Sequence, residues 1–148
     1  MRKLLIPLGA AMALASCSPK AAVSIDVRDG QIAPPLGLHG VSAGYFTLQN
    51  NGPADALVAV STPLATSAEM HESTMENAMM SMRRLDKVDL PAGGIVTFAP
   101  GGKHLMLFGV KPDAAVPGRS VTVTLTFEHA GAKEYAFVIT EPKADAGH

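Results

Sequence analysis

Short runs of alternating apolar and polar residues, separated by turn residues, most constrain the fold of this chain. In residues 121–127 the two kinds of side chain alternate cleanly, which is typical of a half-buried β-strand. Clusters of Pro, Gly and Asn interrupt the runs, and no segment shows sustained helical periodicity with caps. Many short strands at this spacing predict an all-β sandwich or barrel. The predicted strands are residues 23–27, 41–49, 56–61, 68–72, 79–85, 95–99, 104–110, 120–128 and 134–140.

Length and charge narrow the class of protein. The chain has 148 residues, 12 Lys and Arg, 13 Asp and Glu, and a formal net charge of −1. This length suits one domain with a hydrophobic core. A near-neutral chain lacks the basic surface that nucleic-acid binding requires, so we expect no nucleic-acid partner. The composition, 47% hydrophobic and 17% charged, argues against disorder.

The N-terminal segment has the features of an export signal. Basic residues at 2 and 3 precede a nearly unbroken apolar stretch, residues 4–15, which is shorter than the roughly 20 residues that span a bilayer. Ala15 and Ser16 then precede Cys17, an arrangement that resembles a bacterial lipobox. On that resemblance, Cys17 is diacylated and becomes the mature N-terminus. A plain secretory signal with an incidental cysteine, or a buried free thiol, is the alternative.

We therefore predict four segments: a lipoprotein signal peptide at 1–16, the lipidated cysteine and a short tether at 17–22, a domain at 23–140 and a flexible tail at 141–148. The expected location is the bacterial cell envelope, facing the periplasm, with the lipid anchor as the only membrane contact. Ser18, in place of Asp, favours the outer membrane over the inner membrane in Gram-negative bacteria.

The cysteine count excludes several chemistries. Cys17 is the only cysteine, so after its acylation the domain has no thiol for a redox pair, a cysteine nucleophile or a zinc–thiolate site. The sequence also lacks a Gly-x-Ser-x-Gly motif, a Gly-rich phosphate loop and a paired-carboxylate signature. We expect that the protein is not an enzyme.

Methionines and histidines crowd one part of the chain. All six methionines beyond the signal segment fall between residues 70 and 106, together with His71 and His104. His104 and Met106 are two residues apart in a predicted strand, so they point to one face. A hairpin that turns about residues 76–77 would place His71 directly opposite Met82, with Cβ atoms about 4.5–5.5 Å apart. Two imidazole–thioether pairs could then bind one ion.

Ligand softness indicates the metal. Thioether sulfur is soft and neutral and favours Cu(I) over zinc, magnesium or calcium. A mononuclear blue-copper centre is disfavoured because it needs a cysteine thiolate. We therefore expect one Cu(I) per chain at His71, Met82, His104 and Met106. Taken singly, a strand histidine is more often structural, and a methionine more often fills a core.

The spacing His71-x10-Met82-x21-His104-x-Met106 resembles the signature of the PCu(A)C family of periplasmic copper chaperones. Residues 69–72, 90–94 and 100–107 agree with family blocks, and the similarity runs from about residue 23 to 140. The hairpin carries Asn77-Ala78 where the family often has Asp-Gly.

The resemblance implies a cupredoxin-like Greek-key β-barrel whose four ligands hold Cu(I) and pass it on, typically toward the CuA centre of cytochrome c oxidase. The expected partner is the CuA subunit or a Sco-type assembly factor. Copper sequestration without delivery, and a structural β-sandwich without metal, are the alternatives.

Several further residues remain candidates. An auxiliary copper-capturing face and ordinary packing are both open for Met70, Met75, Met79 and Met80. We expect His39 in a loop, His129 and His148 at the surface, and a secondary Cu(II) site only through His148. Glu69, Glu72 and Glu76 are expected to form a solvated acidic rim.

Overall fold

The computed structural model describes residues 24–141, and all of the regular elements in this range are strands. None of the described residues forms a helix that is long and apolar enough to cross a membrane. The predicted signal peptide, Cys17, the tether and the tail beyond Glu141 lie outside the described residues. The ten strands are β1 (Ile25–Ile32), β2 (Ser42–Asn50), β3 (Asp55–Ser61), β4 (Ser67–Glu76), β5 (Met79–Leu85), β6 (Val88–Leu90), β7 (Ile95–Phe98), β8 (Lys103–Phe108), β9 (Ser120–Phe127) and β10 (Gly131–Ile139).

The strands join in one sheet with the order β5-β4-β8-β2-β1-β10-β9-β3-β6, and β7 pairs with β2. All pairs are antiparallel except β1 with β10. Neighbours in this order are often distant in sequence, which requires crossover connections. The predicted all-β fold is confirmed. Strand β5 pairs only with β4, so it is an edge strand.

Burial in the hydrophobic core determines which side chains of β8 point inward and which point outward. Phe46 and Phe98 stack at a ring-centroid distance of 4.4 Å, and Phe137 lies 5.3 Å from Phe46. Leu105 and Leu107 of β8 are fully buried in the same core. Because side chains alternate along a strand, the residues between and beside these leucines point to the outer face of the sheet.

The hairpin between β4 and β5 is longer than predicted. The strand predicted at residues 68–72 instead continues to Glu76, and only Asn77 and Ala78 form the turn. Asn77 has φ 52° and Ala78 has φ 61°, and positive φ at both central residues is typical of a type I′ turn. This turn matches the right-handed twist of the two strands and lets them pair to their ends.

The predicted hairpin register is wrong. The turn is centred on residues 77–78 rather than 76–77, so every partner moves by two residues. His71 therefore lies opposite Arg84, and Met82 lies opposite Ser73. A shift of two preserves the face to which each side chain points, because side chains alternate with a period of two. Met82 thus stays on the face of His71.

We predict that Ala78→Gly stabilises the protein by about 1 kcal/mol, because the left-handed conformation strains an L-residue with a Cβ but not glycine. Urea unfolding measures the change. The matched control is Ala92→Gly, since Ala92 is also exposed in a turn but does not have a positive φ. The control should lose up to about 1 kcal/mol. Equal effects of the two substitutions would show that the turn is not strained.

Candidate metal centre

The centre of the site is a direct pairing between β4 and β8. In this register His71 lies opposite His104. Their ring centroids are 6.0 Å apart and the ring planes differ by 30°. An imidazole nitrogen binds a metal at about 2.0–2.1 Å, which places each ring centroid roughly 3 Å from the ion. The observed separation is therefore within the distance that two imidazoles bound to one ion can span.

The β7–β8 loop fixes the tautomer of His104. Its Nδ1 lies 3.0 Å from the carbonyl oxygen of Gly102. A carbonyl can only accept, so Nδ1 carries the hydrogen and Nε2 of the neutral ring keeps its lone pair. The same carbonyl accepts a hydrogen bond from Ser73 N at 3.0 Å, which ties the loop to β4. Gly101, with φ 82°, forms the turn that brings this carbonyl into position.

Glu69 fixes the tautomer of His71. The Oε2 atom of Glu69 lies 2.8 Å from His71 Nε2, and Arg84 Nη1 lies 3.4 Å from Oε1. A carboxylate accepts, so Nε2 donates and the lone pair of the neutral ring lies on Nδ1. That Nδ1 is buried and, among residues 24–141, has no hydrogen-bond partner. Buried polar atoms are normally paired, and an orphaned imidazole nitrogen beside a second imidazole suits a metal ion.

The two thioethers flank this pair on the same face. Met106 lies opposite Glu69 on β8, and Met82 lies opposite Ser73 on β5. Each is therefore a diagonal neighbour of His71, one on either side. Exposure rises outward across the set. His104 is 6% exposed, the side chain of His71 15% and Met82 55%, with Met106 half-buried.

The predicted ligands thus lie together on the outer face of β5, β4 and β8. Among the described residues, no three His, Cys, Asp or Glu side chains are grouped in a way that could hold a metal ion. Apart from the carboxylate of Glu69, which bonds to His71, the donors beside the two imidazoles on this face are thioethers, which fit Cu(I). Binding of one ion by His71, Met82, His104 and Met106 together stays a prediction.

The acidic residues do not form one rim. Glu72 points to the other face of β4, where it accepts from Arg83 Nη2 at 2.8 Å and lies 3.2 Å from Lys103 Nζ. Hydrogen bonds from Arg83 and then from Lys103 hold the pKa of Glu72 below its usual value. Glu69 instead belongs to the site, because it positions His71. Sequence analysis missed this role, and the signal that could have found it is the Glu69-x-His71 spacing, which puts both side chains on one face of a strand.

The remaining candidate methionines and histidines differ in burial and in the face of the sheet on which they lie. Met70 is 4% exposed and belongs to the core, so it forms no part of a copper-capturing face. Met75 and Met80 share the outer face with His71, whereas Met79 points to the other face. His39 and His129 are exposed outside the strands of the site, and His148 lies outside the described residues.

Solved structures that are similar to this chain include copper-bound domains. The chain is similar to the copper-bound PCuAC domain from PmoF2, with 27% identity, a TM-score of 0.66 and coverage of 82% of this chain and 97% of that one. It is also similar to apo-DR1885 from Deinococcus radiodurans, with 28% identity, a TM-score of 0.62 and coverage of 97% and 95%. The Cu(I) form of DR1885 is 29% identical, with a TM-score of 0.58 and coverage of 87% and 83%. The predicted cupredoxin-like fold is confirmed.

Sequence comparison assigns the chain to a family. Residues 25–139 match the family described as "Putative lipoprotein LpqE-like", and the chain belongs to this family. It is 30% identical over 104 residues to "Putative lipoprotein Lxx21020" of Leifsonia xyli subsp. xyli, which covers 69% of this chain. The chain spans 62% of the length of that curated relative.

We predict that Glu69→Gln weakens Cu(I) binding about 10–100-fold, the usual cost of removing a carboxylate that orients a ligating histidine. Competition with a Cu(I) chelator measures the affinity. Glu72→Gln is the matched control, because it removes the same charge from the other face of the same strand and should leave the affinity unchanged. Equal affinities in the two variants would contradict the positioning role of Glu69.

Proposed function

We propose that this protein is a non-catalytic Cu(I) chaperone of the bacterial cell envelope. His71, Met82, His104 and Met106 bind one Cu(I) as cargo, and Cys17 carries the lipid anchor that holds the domain on the periplasmic side of the outer membrane. Membership of a lipoprotein family and similarity to copper-binding PCuAC domains support this proposal.

The observation that carries the proposal is the state of the two facing imidazoles. Each ring has one nitrogen held by an acceptor, Glu69 for His71 and the Gly102 carbonyl for His104. In its neutral form, each ring therefore offers its other nitrogen as a lone-pair donor. A purely structural histidine pair would be expected to use these nitrogens in hydrogen bonds, yet His71 Nδ1 is buried and has no partner among the described residues.

The donor set suits a monovalent soft cation. Two neutral imidazoles and two neutral thioethers bring no negative charge to the ion, so they favour Cu(I) over a divalent cation. Thioethers are also not lost to disulfide formation in an oxidising compartment.

The gradient of exposure suits transfer. An acceptor can reach the exposed thioether of Met82 first, while the two imidazoles still hold the ion from the inner side. We propose that Met82 is the first ligand that the acceptor displaces, with Met106 next. The acceptor is the CuA subunit of cytochrome c oxidase or a Sco-type assembly factor.

We predict that His71→Ala and His104→Ala each weaken Cu(I) binding at least about a hundredfold, or about 2.7 kcal/mol. Anaerobic titration of the full chain against a Cu(I) competitor measures the affinity and the stoichiometry, which should be one tight ion per chain. His39→Ala and His129→Ala are matched controls, because each removes an exposed imidazole outside the site. Tight binding retained in both site variants would refute the ligand assignment.

Delivery is tested in the cell that makes the protein. Deletion of the gene should lower cytochrome c oxidase activity at low copper, and His71→Ala should fail to restore it because the ion is no longer held. Normal oxidase activity together with copper sensitivity only at high copper would contradict delivery and instead identify sequestration.

A further inference from the structure

We propose that the β4–β5 hairpin carries a second, weaker Cu(I) site formed by Met75, Met80 and Met82, and that copper passes from it to the His/Met centre through Met82. This inference deepens the proposed function and rests on it, since the ion is taken to be Cu(I).

The strand register brings these three thioethers together. Met75 lies directly opposite Met80, and Met82 lies opposite Ser73, diagonally next to Met75. Directly paired Cβ atoms are about 4.5–5.5 Å apart and diagonal ones about 7–8 Å, within reach of long, unbranched side chains. All three side chains point to the face that carries His71. Met82 is thus the diagonal neighbour of Met75 on one side and of His71 on the other.

Packing does not account for these methionines. Met75 is 68% exposed, Met80 67% and Met82 55%, on the two strands at the open edge of the sheet. Single exposed apolar residues are ordinary, but paired methionines that fill no gap in a core are not. What the three share is a soft sulfur donor that a solvated ion can reach.

The chemistry of this cluster favours capture followed by release. Three neutral thioethers select Cu(I). Arg83, which pairs with Glu72, lies on the other face of the hairpin, and Arg84 on the shared face is paired with Glu69. The cluster contains no imidazole, so it holds the ion less tightly than the centre that has two.

Transfer to the centre is a ligand exchange. Met82 keeps its bond to the ion while Met75 and Met80 release theirs. The lone pairs on His71 Nδ1 and His104 Nε2 then form two new bonds to the ion, and Met106 completes the set. Copper stays as Cu(I), so no electron moves. In the neutral rings both nitrogens lack a hydrogen, so no proton moves.

The first test removes the inner centre. The His71→Ala/His104→Ala double variant of the full chain is titrated anaerobically with Cu(I) against bicinchoninate, and X-ray absorption reports the ligands. We expect residual, weaker binding with sulfur as the only protein donor, and its loss when Met75→Leu and Met80→Leu are added. Met79→Leu is the matched control, since Met79 is equally exposed but points to the other face. Residual binding that survives the two leucines, or that Met79→Leu abolishes, overturns the assignment.

The second test keeps both histidines. In Met75→Leu/Met80→Leu, the equilibrium affinity of the inner centre should remain as in the wild type, because none of its four ligands is changed. The rate of Cu(I) uptake should fall about tenfold, or about 1.4 kcal/mol in the barrier. An unchanged rate overturns the relay, even if the double-histidine variant fails to fold.

The two proposals fail in different ways. If the wild-type protein binds no Cu(I), the proposed function fails and this inference fails with it. If the wild type binds one ion tightly but the folded double-histidine variant binds none, only the hairpin site is refuted.

Discussion

The pairing of β4 with β8 in the register that sets His71 opposite His104 is the constraint on which the site depends. The two strands are far apart in sequence, and their inner residues Met70, Leu105 and Leu107 are buried in the core. A slip by one residue would turn these side chains outward and the histidines inward, at a large cost in apolar burial. The core therefore fixes the histidine pair, although neither imidazole is part of it.

Hydrogen bonds around this pair orient the two imidazoles. Glu69 and the Gly102 carbonyl each accept a hydrogen bond from one ring nitrogen, and Arg84 and the Ser73 amide hold those two acceptors in place. Such outer groups orient ligands and raise their basicity. Of the four proposed ligands, Met82 on the hairpin is the most exposed to solvent.

Much of the site was predictable because a β-strand has a period of two. The spacings within the chain put His104 with Met106, and His71 with Glu69, on common faces whatever the details of the fold. The hairpin shows both the strength and the limit of this reasoning. Its predicted register was wrong by two residues because a strained Asn77-Ala78 turn was not expected, yet the face of Met82 was unaffected. The role of Glu69 was missed because a carboxylate near a histidine looks the same in sequence whether it is solvated or bonded to the ring.

The sequence by itself determined the all-β class and the face of each predicted donor, because composition and alternation are local properties of the chain. Only the tertiary structure decided that β8 lies beside β4, that Met70 faces the core while Met75 and Met80 face the site, and which nitrogen of each imidazole faces an acceptor. These features depend on contacts between strands that are distant in sequence. Core packing, rather than local pattern, selects those contacts.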